Sequence, residues 1–132
     1  MKITQNEFQI IEIMENWAKA VREKDINGIL AFHSINILLF DVPEPVQLKG
    51  IENYRKSWVE QFFSWYGDDG QFELSEIDVT AGEDVAFCHG IIDCSGTENG
   101  QKVSYKIRLT TCLKKTGGQW IIEHEHHSEA VK

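Results

Sequence analysis

Residues 117–128, GGQWIIEHEHHS, place three of the chain's five histidines and two carboxylates in one short segment after a glycine pair. In a β-strand, successive side chains point to opposite faces of the sheet. Alternation therefore divides the polar residues into an odd-numbered and an even-numbered set: Glu123, Glu125 and His127, and His124, His126 and Ser128. The set that faces the protein interior decides where a functional site can form.

Composition limits the classes of function. A length of 132 residues with 42% hydrophobic content suits a single domain spanning residues 1–132. A formal net charge of −8 argues against nucleic acid or an anionic membrane as the partner. Lys2 is followed by Asn6 and Glu7 rather than by an apolar run, and no segment approaches the roughly 18 apolar residues of a membrane span. We therefore expect a cytoplasmic protein.

The chain contains three cysteines, Cys88, Cys94 and Cys112, without Cys-x-x-Cys spacing. An odd number with this spacing fits reduced thiols better than a disulfide framework or a zinc knuckle. Free cysteine is usually buried. We therefore expect these residues to pack as small hydrophobic side chains.

Three helices are predicted before the main run of strands. Thr4 and Glu7 have capping-box spacing, and apolar residues then recur at helical intervals: Ile10, Met14, Trp17 and Val21. Asp25 can cap a short second helix that ends near Phe32. A third helix begins at Gly50 and carries a strongly aromatic stripe: Ile51, Tyr54, Trp58, Phe62 and Trp65. Large flat side chains of this kind suit the wall of a pocket.

The remaining segments are predicted strands. The first, Ile35–Phe40, ends at Asp41 because Pro43 and Pro45 cannot continue a ladder. A strand with a bulge near Ser75 or Glu76 follows the third helix. Three more strands follow, joined by turns at Asn99-Gly100 and at 116–118: Val85–Cys94, Gln101–Lys114 and Gln119–Ser128. This order predicts an α+β fold in which a bent antiparallel sheet wraps over three helices.

Several segments carry a family resemblance: DINGIL, FDVPEPVQLKG, GEDVAFCH and RLTTCLKKTGGQWIIEHEHHS. They resemble the SnoaL-like branch of the nuclear transport factor 2 superfamily, which includes ketosteroid isomerases, polyketide cyclases and the association domain of calcium/calmodulin-dependent protein kinase II. The likeness covers nearly the whole chain. It implies a cone-shaped, cystatin-like fold, and it leaves the activity open because this scaffold serves enzymes, binders and oligomerisation modules.

The resemblance to ketosteroid isomerases implies a catalytic base. In those enzymes the base is an aspartate that ends the first strand, and Asp41, nine residues before Gly50, matches it. Alternatively, Asp41 is a loop carboxylate that accepts backbone N–H bonds beside the prolines. A carboxylate among apolar side chains can abstract a proton next to a carbonyl group. The oxyanion donors of those enzymes, a tyrosine and a protonated aspartate, are missing, since Trp17 and either Thr110 or Thr111 occupy their positions. Steroid isomerisation itself is therefore not expected.

The resemblance to the kinase association domain implies an orientation for the last hairpin. Three cavity arginines of that domain fall on Ile92, Thr111 and His127, so an anion-filled cavity is not expected. If His127 faces inward, so do Glu125, Glu123 and Ile121, because alternate side chains share a face. A three-residue turn at 116–118 would then place Leu109 opposite Glu125 and Ile107 opposite His127. Glu125 and His127 could then act with Asp41 in acid–base chemistry. The ligand contacts implied are Trp17, Tyr54, Trp58, Phe62, Cys88, Ile92, Leu109, Thr111 and Glu123, of which Trp17 is alternatively a core residue.

The opposite face of the last strand is expected to carry His124 and His126 together with Trp120 and Ile122, and Arg108 beside His126. An outer face this apolar suits a protein interface, and the resemblance implies a homodimer. His-x-His could also chelate a metal with Asp93 or His89, but Arg108 would repel a cation and the spacing is not H-E-x-x-H. We expect no metal. A one-residue bulge would exchange the faces and bring His124 and His126 into the pocket.

Two functions remain open at this point. The first is a small-molecule pocket protein, with isomerase-like or cyclase-like acid–base chemistry, that uses Asp41 as general base on an apolar carbonyl compound without a cofactor. The second is a non-catalytic association or accessory domain that dimerises through the outer face of the sheet.

Overall fold

A computed structural model describes residues 3–131 of the protein. The N-terminal part of this range is helical. Helix α1 (Gln5–Arg22) begins with the expected capping box: the Glu7 amide donates to the Thr4 hydroxyl at 3.1 Å, and the Thr4 amide donates to the Glu7 carboxylate at 3.2 Å. Asp25 caps helix α2 (Ile26–Leu30), as expected, by accepting a hydrogen bond from the Gly28 amide at 3.2 Å.

The third predicted helix is one continuous rod with a change of winding in its middle. Helix α3 (Ile51–Lys56) passes into a π-helical segment (Ser57–Phe62) and then into helix α4 (Phe63–Tyr66). Such segments are rare and occur frequently at functional sites. None of the helices within residues 3–131 is long and apolar enough to cross a membrane.

Six strands form one curved sheet in the order β2-β1-β6-β5-β4-β3. Their bounds are β1 (His33–Phe40), β2 (Leu48–Lys49), β3 (Gln71–Ala81), β4 (Val85–Glu98), β5 (Gln101–Thr116) and β6 (Gln119–Ser128). The pair β1–β6 is parallel and all other pairs are antiparallel, a departure from the predicted all-antiparallel sheet. The bulge in β3 is confirmed, since the register shifts between Ser75 and Asp78. The predicted α+β fold, with a bent sheet over helices, is confirmed.

The β5–β6 hairpin differs from the predicted register in two places. Its loop has two residues, Gly117 and Gly118, both with positive φ, rather than three, because this backbone matches the twist of the flanking strands. Further along, Glu123 is inserted as a bulge: Leu113 pairs with Ile122, and Cys112 pairs with His124. Beyond the bulge, each residue of β5 pairs with a β6 residue two positions later than predicted. Leu109 therefore lies opposite His127 and not opposite Glu125.

These two differences correct the predicted orientation of the first half of β6. Trp120 and Ile122 were expected on the outer face, but both are buried, with Trp120 only 1% exposed and its indole nitrogen 3.2 Å from the Asn6 side-chain oxygen. Ile121 was expected inside and lies on the opposite face from them, half-buried. After the bulge, the odd-numbered side chains of β6 point inward, as predicted, and Glu125 and His127 are therefore buried.

Replacing Trp120 with alanine tests this inward orientation. Trp120→Ala should lower the free energy of unfolding by about 3–5 kcal/mol, because removing a buried indole leaves a cavity in the core. Ile121→Ala is the matched control on the other face, with an expected loss of ~1 kcal/mol or less. Urea unfolding followed by circular dichroism measures both. Equal losses for the two variants would contradict the orientation described here.

Candidate functional site

A cavity of about 490 Å³ opens between the sheet and the helical rod. The π-helical segment supplies one wall, and the inner faces of β3, β4 and β5 supply another. The lining residues are Asp41, Val42, Pro43, Ser57, Trp58, Gln61, Phe62, Trp65, Phe72, Ile92, Cys94, Glu98, Tyr105, Ile107, His127 and Glu129. Mostly apolar walls with a few polar groups are the usual composition of a small-molecule site.

Asp41 stands at the edge of this cavity, immediately after β1, where the following prolines end the strand. Its Oδ1 accepts a hydrogen bond from the Val42 amide at 2.8 Å and lies 3.5 Å from Nδ1 of His127. The side chain is 27% exposed. Within the described part of the chain, Oδ2 has no hydrogen-bond partner, which leaves it available to a molecule in the cavity.

His127 lies between two carboxylates. Its Nδ1 faces Asp41, and its Nε2 lies 3.1 Å from Oε1 of Glu125. Burial alone would lower the pKa of His127, but the neighbouring carboxylates of Asp41 and Glu125 outweigh it and raise the pKa from 6.5 to about 9. The geometry agrees with this direction, because a ring with a carboxylate at each nitrogen is best satisfied when both nitrogens carry protons.

Glu125 is fully buried and surrounded by hydrogen-bond donors. The Tyr54 hydroxyl lies 3.1 and 3.0 Å from its two carboxylate oxygens, and Nε2 of His33 contacts Oε2. Burial would raise the pKa of Glu125, but the charges and hydrogen bonds of His33 and His127 lower it below its ordinary value. Burial and the neighbouring Glu125 charge raise the pKa of Tyr54, which therefore stays a neutral donor.

His33 is the functional-site candidate that the sequence analysis missed. Its side chain is fully buried, its ring lies 4.7 Å from that of Tyr54, and its Nδ1 is 3.0 Å from the Ala31 carbonyl oxygen. A carbonyl oxygen only accepts, so Nδ1 carries a proton and Nε2 is directed to Glu125. Strand alternation could not find this residue, since the register of β1 shifts between His33 and Leu38 and leaves Ile35 exposed.

Two predicted ligand contacts lie one layer behind the cavity. Trp17 donates a hydrogen bond from its indole nitrogen to the Tyr54 hydroxyl at 3.1 Å, and Tyr54 in turn donates to Glu125. Both are buried and neither lines the cavity within residues 3–131. They orient the polar cluster from behind, while Trp58, Phe62 and Ile92 do form part of the cavity wall.

The other predicted contacts do not line the cavity in the described residues. Cys88 and Leu109 are core residues, and burial followed by the charge of Asp78 raises the pKa of the Cys88 thiol to about 12. Thr111 is fully buried opposite Glu125. Glu123 was expected inside, but as the extra residue of the bulge it has no partner in β5 and is half-buried away from the cavity.

A second polar group at the cavity was also missed. Glu98 accepts hydrogen bonds from the Trp65 indole and the Tyr105 hydroxyl, each at 2.9 Å. Strand β4 was predicted to end at Cys94, and its continuation to Glu98 brings this carboxylate to the cavity. The alternation of Ile107 and Tyr105 on the partner strand is the signal that could have extended the prediction.

The outer face carries the even-numbered histidines, as expected. Both pack against the Phe40 ring, and Nδ1 of His124 lies 2.7 Å from the Leu38 carbonyl oxygen. Arg108 lies opposite Ser128 rather than His126, because of the register change described above. Among residues 3–131 no group of three His, Cys, Asp or Glu side chains is placed to hold a metal ion.

The raised pKa of His127 predicts a specific loss of stability at high pH. Protonated His127 stabilises the folded state fully below pH 6.5, its ordinary pKa, and this contribution is lost as pH rises through about 9. The free-energy advantage of the wild type over His127→Gln should therefore shrink between pH 6.5 and 9, by a few kcal/mol at most. Urea unfolding of both proteins across this range measures it. A difference that stays constant with pH would contradict a protonated His127.

Comparisons with known proteins agree with this fold. The SnoaL-like domain family matches residues 10–132. A nuclear transport factor 2-like protein of unknown function from Pseudomonas putida KT2440 is 32% identical, with a TM-score of 0.87 over 100% of this chain and 92% of that chain. No curated protein matches the chain.

Two further solved structures share the fold at lower identity. One is a ketosteroid isomerase-like protein from Erwinia carotovora atroseptica SCRI1043, at 17% identity and TM-score 0.80, covering 98% of this chain and 100% of that chain. The other is the association domain of calcium/calmodulin-dependent protein kinase II from C. elegans, at 19% identity and TM-score 0.71, covering 93% and 95%. With the family match over residues 10–132, the resemblance stated from the sequence is confirmed. The chain belongs to the SnoaL-like family of nuclear transport factor 2-like proteins.

Proposed function

We propose that the protein binds a small, largely apolar carbonyl compound in its cavity and transforms it by acid–base chemistry with Asp41 as the general base. The observation that supports this most directly is the position of Asp41. One carboxylate oxygen is held by the Val42 amide and His127, the other has no partner in the described residues, and Asp41 lines the cavity. A base held this way is oriented before the ligand arrives.

The proposed reaction begins with proton transfer to Asp41. Oδ2 accepts a proton from the carbon next to the ligand's carbonyl group, and the electron pair of that C–H bond forms an enolate. Positive charge on His127, 3.5 Å from Asp41, offsets the negative charge of the enolate within an apolar cavity. The Gln61 amide, which lines the cavity, can donate a hydrogen bond to the enolate oxygen.

Glu125 and His33 act on this reaction through His127. Glu125 holds Nε2 of His127, and His33 and Tyr54 in turn hold Glu125 in one orientation. A fixed imidazolium beside Asp41 keeps the base aligned and its immediate surroundings positive. The likeness to a ketosteroid isomerase-like protein is compatible with this chemistry, while the missing oxyanion donors argue for a different substrate.

Hydrogen exchange of a bound ketone tests the proposed reaction. The wild-type protein should accelerate exchange of the α-hydrogens of 2-tetralone in D2O, and Asp41→Asn should slow it by roughly 10²-fold or more, because general base catalysis contributes about that much. Asp93→Asn, which removes a carboxylate paired with Lys106 on the outer face, is the matched control. Proton NMR gives the rates. Equal rates for the wild type and Asp41→Asn would end the proposal.

A second candidate function, association of two copies through the outer face, is supported by an exposed apolar patch. We define the outer apolar patch as Val85, Phe87, Cys112 and Ile121, on one face of β4, β5 and β6. Phe87 pairs with Cys112, and Lys114 lies between Val85 and Ile121 as the strand partner of both. Val85 is 56% and Phe87 48% exposed, although each lies in a strand. Apolar patches on a sheet face are typical of protein interfaces. The buried Trp120 takes no part in this patch, contrary to the sequence-based expectation.

A charge placed in the outer apolar patch tests association. Phe87→Glu should convert a dimer to a monomer in multi-angle light scattering, because each interface would then bury an unpaired carboxylate. Val46→Glu introduces the same charge at a residue that is 90% exposed on the loop before β2, and it should leave the mass unchanged. A mass unaffected by Phe87→Glu would exclude this face as the interface.

A further inference from the structure

The cavity wall carries more acidic than basic side chains. Among the described residues, the lining includes three carboxylates, Asp41, Glu98 and Glu129, and His127 is its only basic side chain. His127 is already engaged by Asp41 at 3.5 Å and by the buried Glu125 at 3.1 Å. Glu98 and Glu129 therefore face the cavity without this cation as their partner.

No basic side chain in residues 3–131 forms an ion pair with Glu98 or Glu129. Arg108 approaches Glu129, but it donates to the main-chain oxygen at 3.2 Å, and Lys106 pairs with Asp93 at 2.7 Å. Glu98 and Glu129 consequently add two negative charges to this part of the cavity wall that no ion pair within residues 3–131 offsets.

Glu98 is also held in a defined position at an aromatic surface. The Trp65 indole and the Tyr105 hydroxyl each donate to it at 2.9 Å, and the two rings lie 6.0 Å apart. The hydrogen bond to Glu98 raises the pKa of Tyr105, which keeps the phenol a donor. A carboxylate has about four acceptor positions, so these two donors leave some of them free. A fixed carboxylate beside electron-rich rings is a favourable environment for an organic cation.

We infer that the ligand of this cavity carries a cationic amine, which binds at the free acceptor positions of Glu98 beside the rings of Trp65 and Tyr105, while its apolar body lies against Trp58 and Phe62. This inference rests on the proposed function, in that it assigns a ligand class to the same cavity. An anionic ligand is repelled by Glu98 and Glu129, and a neutral ligand can at most donate a hydrogen bond to them, without charge–charge attraction. The amine end is separate from the reacting carbon, which Asp41 contacts.

Three probes with the same bicyclic ring and different charge test the inference: 2-naphthylmethylamine, 2-naphthalenemethanol and 2-naphthoate. At pH 7, isothermal titration calorimetry of the wild-type protein should give an affinity for the amine about five- to tenfold above that for the alcohol, and the carboxylate should bind most weakly. Glu98→Gln keeps an oxygen that can accept from Trp65 or Tyr105 and removes the charge. This variant should abolish the preference for the amine.

Two further variants make the result specific. Glu129→Gln should reduce the preference for the amine, and Glu83→Gln, which removes the same charge from the exposed β3–β4 turn, should leave it unchanged. Equal affinities for the three probes, an undiminished preference in Glu98→Gln, or no binding of any probe would overturn the inference. The exchange assay on 2-tetralone uses a neutral ketone and variants of Asp41, so its outcome is independent of the charge preference measured here.

Discussion

The site depends on one buried carboxylate, that of Glu125. An isolated buried charge is very costly, so Glu125 is tolerated only because the Tyr54 hydroxyl and the rings of His127 and His33 contact its two oxygens. Those donors come from β1, β6 and α3, which are far apart in sequence. The carboxylate therefore fixes the position of the helical rod and of β1 relative to β6, and through His127 it also fixes Asp41 at the cavity.

The orientation of this carboxylate follows from sheet geometry. It was predicted correctly because two differences between the predicted and the observed register of β6 compensate each other. A two-residue turn in place of a three-residue turn reverses the faces of β6, and the bulge at Glu123 reverses them again. Residues before the bulge, such as Trp120, were consequently misassigned, and residues after it, Glu125 and His127, were assigned to the correct face. Glycine pairs predict a tight turn, but they do not distinguish its length, and no residue pattern marked Glu123 as a bulge.

Most of the fold could be predicted because its signals are local. Capping boxes, helical periodicity and proline breaks act over a few residues, and they identified α1, α2 and the end of β1 correctly. The candidate site depends instead on long-range pairing. His33 reaches Glu125 only because β1 pairs in parallel with β6 and has an irregular register, and Glu98 reaches the cavity only because β4 extends four residues further than predicted. The parallel pairing of β1 is not visible in local alternation, and the extension of β4 is indicated only by the alternation of its partner strand, β5.

The stability cost of the buried polar cluster favours the proposed ligand site over a domain whose only role is association. Apolar residues of similar volume often give equal or greater stability than a buried network of charges. A module that only dimerises through the outer apolar patch has no need of Glu125, His33 and His127 in its interior. The cluster instead places His127, whose pKa is raised, at the edge of the cavity and 3.5 Å from Asp41, which also lines it. The proposed association and the proposed ligand chemistry would use opposite faces of one sheet, so the two proposals do not compete for the same surface.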